Sequence, residues 1–139
     1  VKVPISPEPL AVPCPPDFPA AAAGEISAPD LARQPLLLKE DASMIRRLVD
    51  AAFLFYDIAV SPSWTSTSSA VLLKAAREGL GITILPRALA SRDLENGSLT
   101  ELSVPDFNLD CTTHVTFLQD KYQSPAFQAF MNVILFSVT

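Results

Sequence analysis

A dense group of hydroxyl side chains between residues 61 and 69 is the part of the sequence best suited to bind a ligand. Its members are Ser61, Ser63, Thr65, Ser66, Thr67, Ser68 and Ser69, with Trp64 among them. The group follows an apolar run and opens a segment of helical periodicity. The first N–H groups of a helix lack intrahelical partners and carry partial positive charge, which favours anions. The pattern therefore predicts a site for a polar or anionic small molecule, unless these residues only cap the helix and line a loop.

A second polar helix start lies earlier in the chain, at residues 41–43. In a parallel α/β sheet both helix starts lie at the carboxyl ends of the strands, where such folds bind ligands. The candidate binding residues are therefore Ser43 and the hydroxyl residues between 61 and 69.

Residues suited to catalysis or metal binding are few. His114 is the single histidine, and strand alternation around it favours a solvated or hydrogen-bonded side chain. The acidic residues Glu40 with Asp41, and Asp106 with Asp110, are expected to be solvated. Two distant cysteines and one histidine do not form a zinc motif, so we predict no catalytic residue, no metal and no cofactor. Cys14 and Cys111 are expected to be free thiols, with a long-range disulfide as the alternative.

The elements that must position the candidate residues alternate between strands and helices. Residues 35–39 form a short apolar run, typical of a strand buried on both faces. The next segment carries apolar residues at helical spacing, which are Met44, Ile45, Leu48, Val49, Ala52, Phe53 and Tyr56. Arg46, Arg47 and Asp50 are expected to point away from that face.

Further strands and helices are predicted along the rest of the chain. Strands are expected at residues 58–60, 81–85, 99–103 and 113–118, and helices at residues 65–79 and 87–91. Ser124 as cap and Pro125 at the first helical position predict the start of a final helix. The fold class is therefore α/β, with a mostly parallel sheet flanked by helices on both faces.

The composition limits the classes of partner. With 49% apolar and 18% charged residues, the chain is expected to fold rather than to be disordered. Its 15 acidic and 10 basic residues give a net charge of -5, which disfavours direct binding to DNA or RNA. No apolar run is long enough to cross a membrane, and early prolines would interrupt a signal peptide. We therefore expect a cytoplasmic location.

Six segments of the chain resemble the sequence pattern of LysR-type transcriptional regulators, and they occur in the same order as in that family. The most characteristic is EGLGITILP at residues 78–86, which is similar to the family's "aGlGia-lP" signature. The other five are residues 8–12 together with 17–20, and residues 27–36, 47–53, 94–99 and 124–130. Together they identify the chain as the C-terminal half of the effector-binding, or substrate-binding, domain.

The resemblance implies a periplasmic-binding-protein-like fold of type 2. It assigns residues 1–9 to a linker or entry strand, residues 10–104 to the second effector subdomain, and residues 105–139 to the strand and helix that return to the first subdomain. In this family the effector lies in the cleft between the subdomains. The polar turn of the second subdomain maps to Thr65, Ser66, Thr67 and Ser68, and the preceding turn maps to residues 41–43. The resemblance thus implies that the effector-binding residues are Ser43, Thr65, Ser66, Thr67 and Ser68.

The resemblance also implies a function. The chain would sense a small polar or anionic metabolite, perform no chemistry, and relay a conformational change to a helix-turn-helix DNA-binding domain absent from this sequence. The full-length protein would be a bacterial homo-oligomer that contacts DNA only through that domain. Two alternatives stay open: a periplasmic solute-binding domain, and a Ser-dependent hydrolase that would use His114.

Overall fold

The computed structural model describes residues 2–110, 112–116 and 122–137, which contain nine strands and six helices. The strands are β1 (Lys2–Pro7), β2 (Leu10–Ala11), β3 (Pro13–Cys14), β4 (Leu36–Lys39), β5 (Trp64–Ser66), β6 (Ile82–Thr83), β7 (Leu85–Pro86), β8 (Thr100–Glu101) and β9 (Thr112–Thr116). The helices are α1 (Pro19–Ala23), α2 (Ala28–Ala32), α3 (Met44–Leu54), α4 (Ser69–Arg77), α5 (Arg87–Glu95) and α6 (Pro125–Ser137). None of these helices is long and apolar enough to span a lipid bilayer.

The chain divides into two compact units, of which the smaller combines the described residues of segments 1–9 and 110–139. In this unit β1 pairs antiparallel with β9. Helix α6 begins as predicted, because the Ser124 hydroxyl accepts from the Phe127 N–H at 3.1 Å. The strand predicted at residues 113–118 is confirmed up to residue 116, whereas residues 117–118 lie outside the described residues.

The larger unit comprises Leu10–Leu109. Phe107 and Leu109 pack with its core. The Leu10 N–H also donates to the Leu109 carbonyl at 3.2 Å. Residues 105–109 therefore pack as part of the larger unit. The assignment of these segments to the subdomains of an effector-binding domain stays a prediction.

A three-stranded parallel sheet in the order β5-β4-β6 forms the centre of the larger unit. Leu38 pairs with Thr65 and Lys39 with Ser66 on one side of β4, while Leu36 pairs with Ile82 on the other. Helix α3 connects β4 to β5, and α4 connects β5 to β6. The α/β class and the parallel sheet are confirmed. Two antiparallel pairings, β2 with β7 and β3 with β8, join the short strands outside this sheet.

The strand predicted at residues 58–60 is wrong. These residues form no strand, and the strand that pairs with β4 is β5, at residues 64–66. Ile58 and Val60 are instead half-buried against the core, and the Ile58 N–H donates to the Phe53 carbonyl at 3.1 Å. The apolar character of this segment therefore reflects packing after α3 rather than strand pairing.

Alternation along β4 directs its side chains into two separate cores. Leu36 and Leu38 are buried with Val49 and Phe53 of α3. Leu37 is buried in the other cluster, which includes Leu72 and Ala76 from α4 and Ala90 from α5. Because successive strand residues face opposite sides of a sheet, helices cover both faces of β4, as predicted.

Helix α3 buries one residue that was expected to face solvent. The Arg46 side chain is only 8% exposed. Its guanidinium donates to the Lys39 carbonyl at 3.0 Å and pairs with Asp50 at 2.9 Å and Asp41 at 3.2 Å. Because these acceptors satisfy the charge, the helix tolerates arginine on its inner side. Met44, predicted on the apolar face, is instead 65% exposed.

Candidate functional site

The carboxyl ends of β4 and β5 lie side by side and bring the two predicted polar turns to one edge of the sheet. Strand β4 ends at Lys39 and β5 ends at Ser66, and these two residues are partners in the parallel register. Residues 40–43 then lead into α3, and residues 67–68 lead into α4. The sequence-based expectation that both helix starts share this edge therefore agrees with the backbone geometry.

The start of α4 is organised by two serine hydroxyls. Ser68 occupies the N-cap position, and its Oγ accepts from the Val71 N–H at 3.3 Å. The Oγ of Ser66 accepts from the Ser68 N–H at 3.1 Å. Both side chains are half-buried. A hydroxyl that accepts a hydrogen bond still carries a proton that it can donate, so both residues can cap the helix and also donate to a ligand.

Ser43 occupies the N-cap position before α3, where it forms backbone hydrogen bonds rather than a side-chain cap. Its N–H donates to the Glu40 carbonyl at 3.0 Å, and its carbonyl accepts from the Arg47 N–H at 3.1 Å. Its side chain makes no capping hydrogen bond. The Ser43 hydroxyl therefore does not serve the cap of α3, in contrast to the Ser68 hydroxyl at α4.

The two threonines of the predicted site are exposed. Thr65 pairs with Leu38 and thus belongs to the sheet face covered by α3, whereas Ser66 and Lys39 belong to the face covered by α4. Thr67 follows β5, and its carbonyl accepts a hydrogen bond from the Lys39 ammonium group. The structure therefore brings the five predicted residues to one edge but distributes them over both faces of the sheet.

Lys39 is a candidate functional residue that the sequence analysis did not select. It is half-buried at the end of β4, and its Nζ bridges to the turn between β5 and α4. The signal available in the sequence was its position as the last residue of an apolar strand, which places it at the ligand-binding edge of a parallel sheet. That Ser66 lies beside Lys39 follows from the strand register, which the sequence does not show.

Other reactive groups lie outside this edge. Cys14 is a buried free thiol, and burial, with a smaller contribution from Asp17, raises its pKa to about 11. The thiol is therefore protonated at neutral pH. Cys111 lies outside the described residues. Within the described ranges, no three His, Cys, Asp or Glu side chains are grouped to hold a metal ion.

A separate cavity of about 490 Å³ also lies within the larger unit. Its lining includes Tyr56 and the carboxylate residues Glu25, Asp30 and Asp106. The Tyr56 hydroxyl donates to the Asp106 carbonyl. None of the five predicted site residues lines this cavity. Its acidic lining differs from the hydroxyl and ammonium groups at the carboxyl edge.

Residues 1–136 match the family model of the LysR substrate binding domain. The chain belongs to this family. The match extends over almost the whole chain and confirms the resemblance that the six sequence segments indicated.

Curated relatives of this LysR substrate-binding domain are transcriptional regulators. A RuBisCO operon transcriptional regulator from Allochromatium vinosum is 28% identical over 127 residues, which are 91% of this chain and 42% of that protein. The HTH-type transcriptional regulator BbuR from Bordetella bronchiseptica is 34% identical over 77 residues, which are 55% of this chain and 24% of BbuR. The chain thus spans less than half the length of these relatives.

Solved structures of LysR effector domains share the fold. The regulatory domain of CcmR from Synechocystis PCC6803, in complex with 2-PG, superposes with a TM-score of 0.90 at 22% identity. The comparison covers 100% of this chain and 67% of that one. The effector-binding domain of QuiR, in complex with shikimate, gives a TM-score of 0.87 at 22% identity and covers 99% of this chain and 65% of that one. The type 2 periplasmic-binding-protein-like fold is thereby confirmed.

Proposed function

We propose that this chain is the effector-sensing part of a bacterial LysR-type transcription regulator. It binds a small polar or anionic metabolite at the carboxyl edge of β4 and β5, without a cofactor and without catalysing a reaction. The observation that carries this proposal is the pair of hydroxyls at the start of α4, Ser66 and Ser68, on a chain that matches the LysR substrate binding domain. The regulator family favours this function over a periplasmic solute receptor.

The proposed mechanism requires only differential affinity for two arrangements of the complete effector domain. A metabolite that binds one arrangement more tightly shifts the equilibrium toward it, and the shift is limited by that difference in affinity. We propose that the change reaches DNA through a helix-turn-helix domain outside this sequence. The protein would be a cytoplasmic homo-oligomer, and the acidic chain itself would not touch the DNA.

The hydroxyl site is tested by replacing Ser66 and Thr67 with alanine in the full-length protein. A thermal-shift screen of small carboxylates and other polar metabolites first supplies a ligand, and calorimetry then measures its dissociation constant for each variant. Loss of a hydroxyl leaves a polar ligand group without its partner. We therefore expect each lost contact to weaken binding by roughly 1–3 kcal/mol.

The matched control is Ser91→Ala, because Ser91 is an exposed serine on α5 whose hydroxyl donates only locally, to the Ala88 carbonyl at 3.0 Å. This variant should bind the ligand with the affinity of the unchanged protein. Affinity that is unchanged in Ser66→Ala and Thr67→Ala as well would contradict the assignment of the hydroxyl site.

A further inference from the structure

Lys39 is a cation at the proposed ligand-binding edge, and it has no carboxylate partner among the residues that the structure describes. Among the described residues, ion pairs neutralise Arg33, Arg46, Arg77 and Arg87. No described carboxylate forms an ion pair with Lys39, although Glu40 and Asp41 follow it directly in the sequence. Asp41 pairs instead with Arg46 at 3.2 Å. Within the described part of the chain, the positive charge of Lys39 is therefore not neutralised by an ion pair.

The hydrogen-bonding capacity of Lys39 is only partly used. An ammonium group has three N–H donors and no acceptor, and one donor of Lys39 is directed to the Thr67 carbonyl. That contact draws the side chain toward the turn before α4 and leaves the other N–H groups available. The adjacent Ser66, which pairs with Lys39 across the sheet, and Ser68 retain hydroxyl protons that they can donate.

Lys39, Ser66 and Ser68 therefore combine one full positive charge with two neutral hydroxyls at the carboxyl ends of two neighbouring strands. Such a set is complementary to a group with several acceptor oxygens and a negative charge, because charge-assisted hydrogen bonds are about twice as strong as neutral ones. A carboxylate and a phosphate share these properties. A neutral amide or ester offers acceptor oxygens without the charge.

We propose that Lys39 determines the specificity of this site by binding an anionic group of the effector, a carboxylate or a phosphate. The inference rests on the proposed function, since it assigns a ligand class to the same edge. Ser66 and Ser68 complete the hydrogen bonds to that group. Lys39 thus selects for charge, whereas the hydroxyls accommodate the geometry of the oxygens.

Acetate, inorganic phosphate and the neutral acetamide are suitable probes for the full-length protein at matched ionic strength. Acetate or phosphate should raise the Tm in a saturable manner with dissociation constants in the millimolar range, and acetamide should not. Whichever anion has the lower dissociation constant identifies the group, carboxylate or phosphate, that the site prefers. Equal stabilisation by acetate and acetamide, or no saturable stabilisation by either anion, would overturn the proposal.

Variants of Lys39 test whether anion binding depends on the positive charge of this side chain. In Lys39→Met, which keeps an unbranched apolar side chain, the affinity for the stabilising anion should fall about tenfold or more. Lys39→Arg should retain most of it because the positive charge remains. Lys74→Met is the matched control, since Lys74 is an exposed lysine in the last turn of α4, and this variant should bind like the unchanged protein.

The outcomes distinguish this inference from the proposed function. If a metabolite loses affinity in Ser66→Ala but not in Lys39→Met, the hydroxyl site stands and the role of Lys39 is wrong. If neither variant changes the affinity, the ligand does not bind at this edge and both proposals are wrong.

Discussion

Replacing Gly81 by alanine is expected to lower the free energy of unfolding by roughly 3 kcal/mol or more, the upper range for overpacking. An added Cβ at this position would lie 2.3 Å from the Pro35 carbonyl oxygen and 3.1 Å from Cγ of Leu37. The same carbonyl accepts from the Ile82 N–H at 2.9 Å. The backbone at Gly81 and the backbone at Pro35 cannot move apart without disturbing the pairing of β4 with β6. The substitution should therefore disrupt the sheet whose carboxyl edge carries the proposed site.

Gly79→Ala is the matched control from the same sequence signature. Gly79 has φ +82°, and nothing lies within 4 Å of an added Cβ. Its substitution therefore introduces backbone strain without a steric clash, at a cost of about 1–2 kcal/mol. Urea denaturation of the purified protein measures both values. A Gly81→Ala variant as stable as Gly79→Ala would show that the contact with Pro35 does not restrict this position.

Replacing Phe53 by alanine should cost about 3–5 kcal/mol of stability, as expected for a buried phenylalanine that leaves a cavity. Phe53 is fully buried on α3. Its ring lies 4.8 Å, centroid to centroid, from the ring of Phe107. The contact fixes residues 105–109 to the larger unit, so its loss should loosen that segment as well as the α3 core.

The neighbouring Phe55 provides the control, because it lies two residues further along the chain and is 84% exposed. At the surface, its ring makes an edge contact with the Tyr56 ring. Phe55→Ala should therefore change stability by less than about 1 kcal/mol. Equal losses for the two variants in urea denaturation would mean that Phe53 does not hold the core as its burial indicates.

Strong periodicity made much of the fold predictable from the sequence. The continuous apolar run of β4 and the apolar stripe of α3 each require burial, and the structure packs both into the core except for Met44 of α3, which is exposed. Strand β5 was missed because it is an edge strand whose residues Trp64 and Thr65 are exposed and therefore show no apolar pattern. The apolar residues 58–60 offered a stronger but misleading signal.

The candidate site was predictable only where it depends on local chain chemistry. Ser66 and Ser68 could be selected as candidates because hydroxyls at a helix start have a local structural reason. Lys39 was not selected because its position beside Ser66 depends on the sheet register. Arg46 was placed outside because helical spacing does not show that a carbonyl at the end of β4 would satisfy its charge.

The most direct test of the proposed function is a crystal structure of the full-length protein with the metabolite found by thermal shift. We predict that the metabolite lies at the carboxyl edge of β4 and β5. It should accept hydrogen bonds from Ser66 or Ser68 and place an anionic group at the Lys39 ammonium. A metabolite bound elsewhere, for example in the acidic cavity beside Tyr56, would contradict this account.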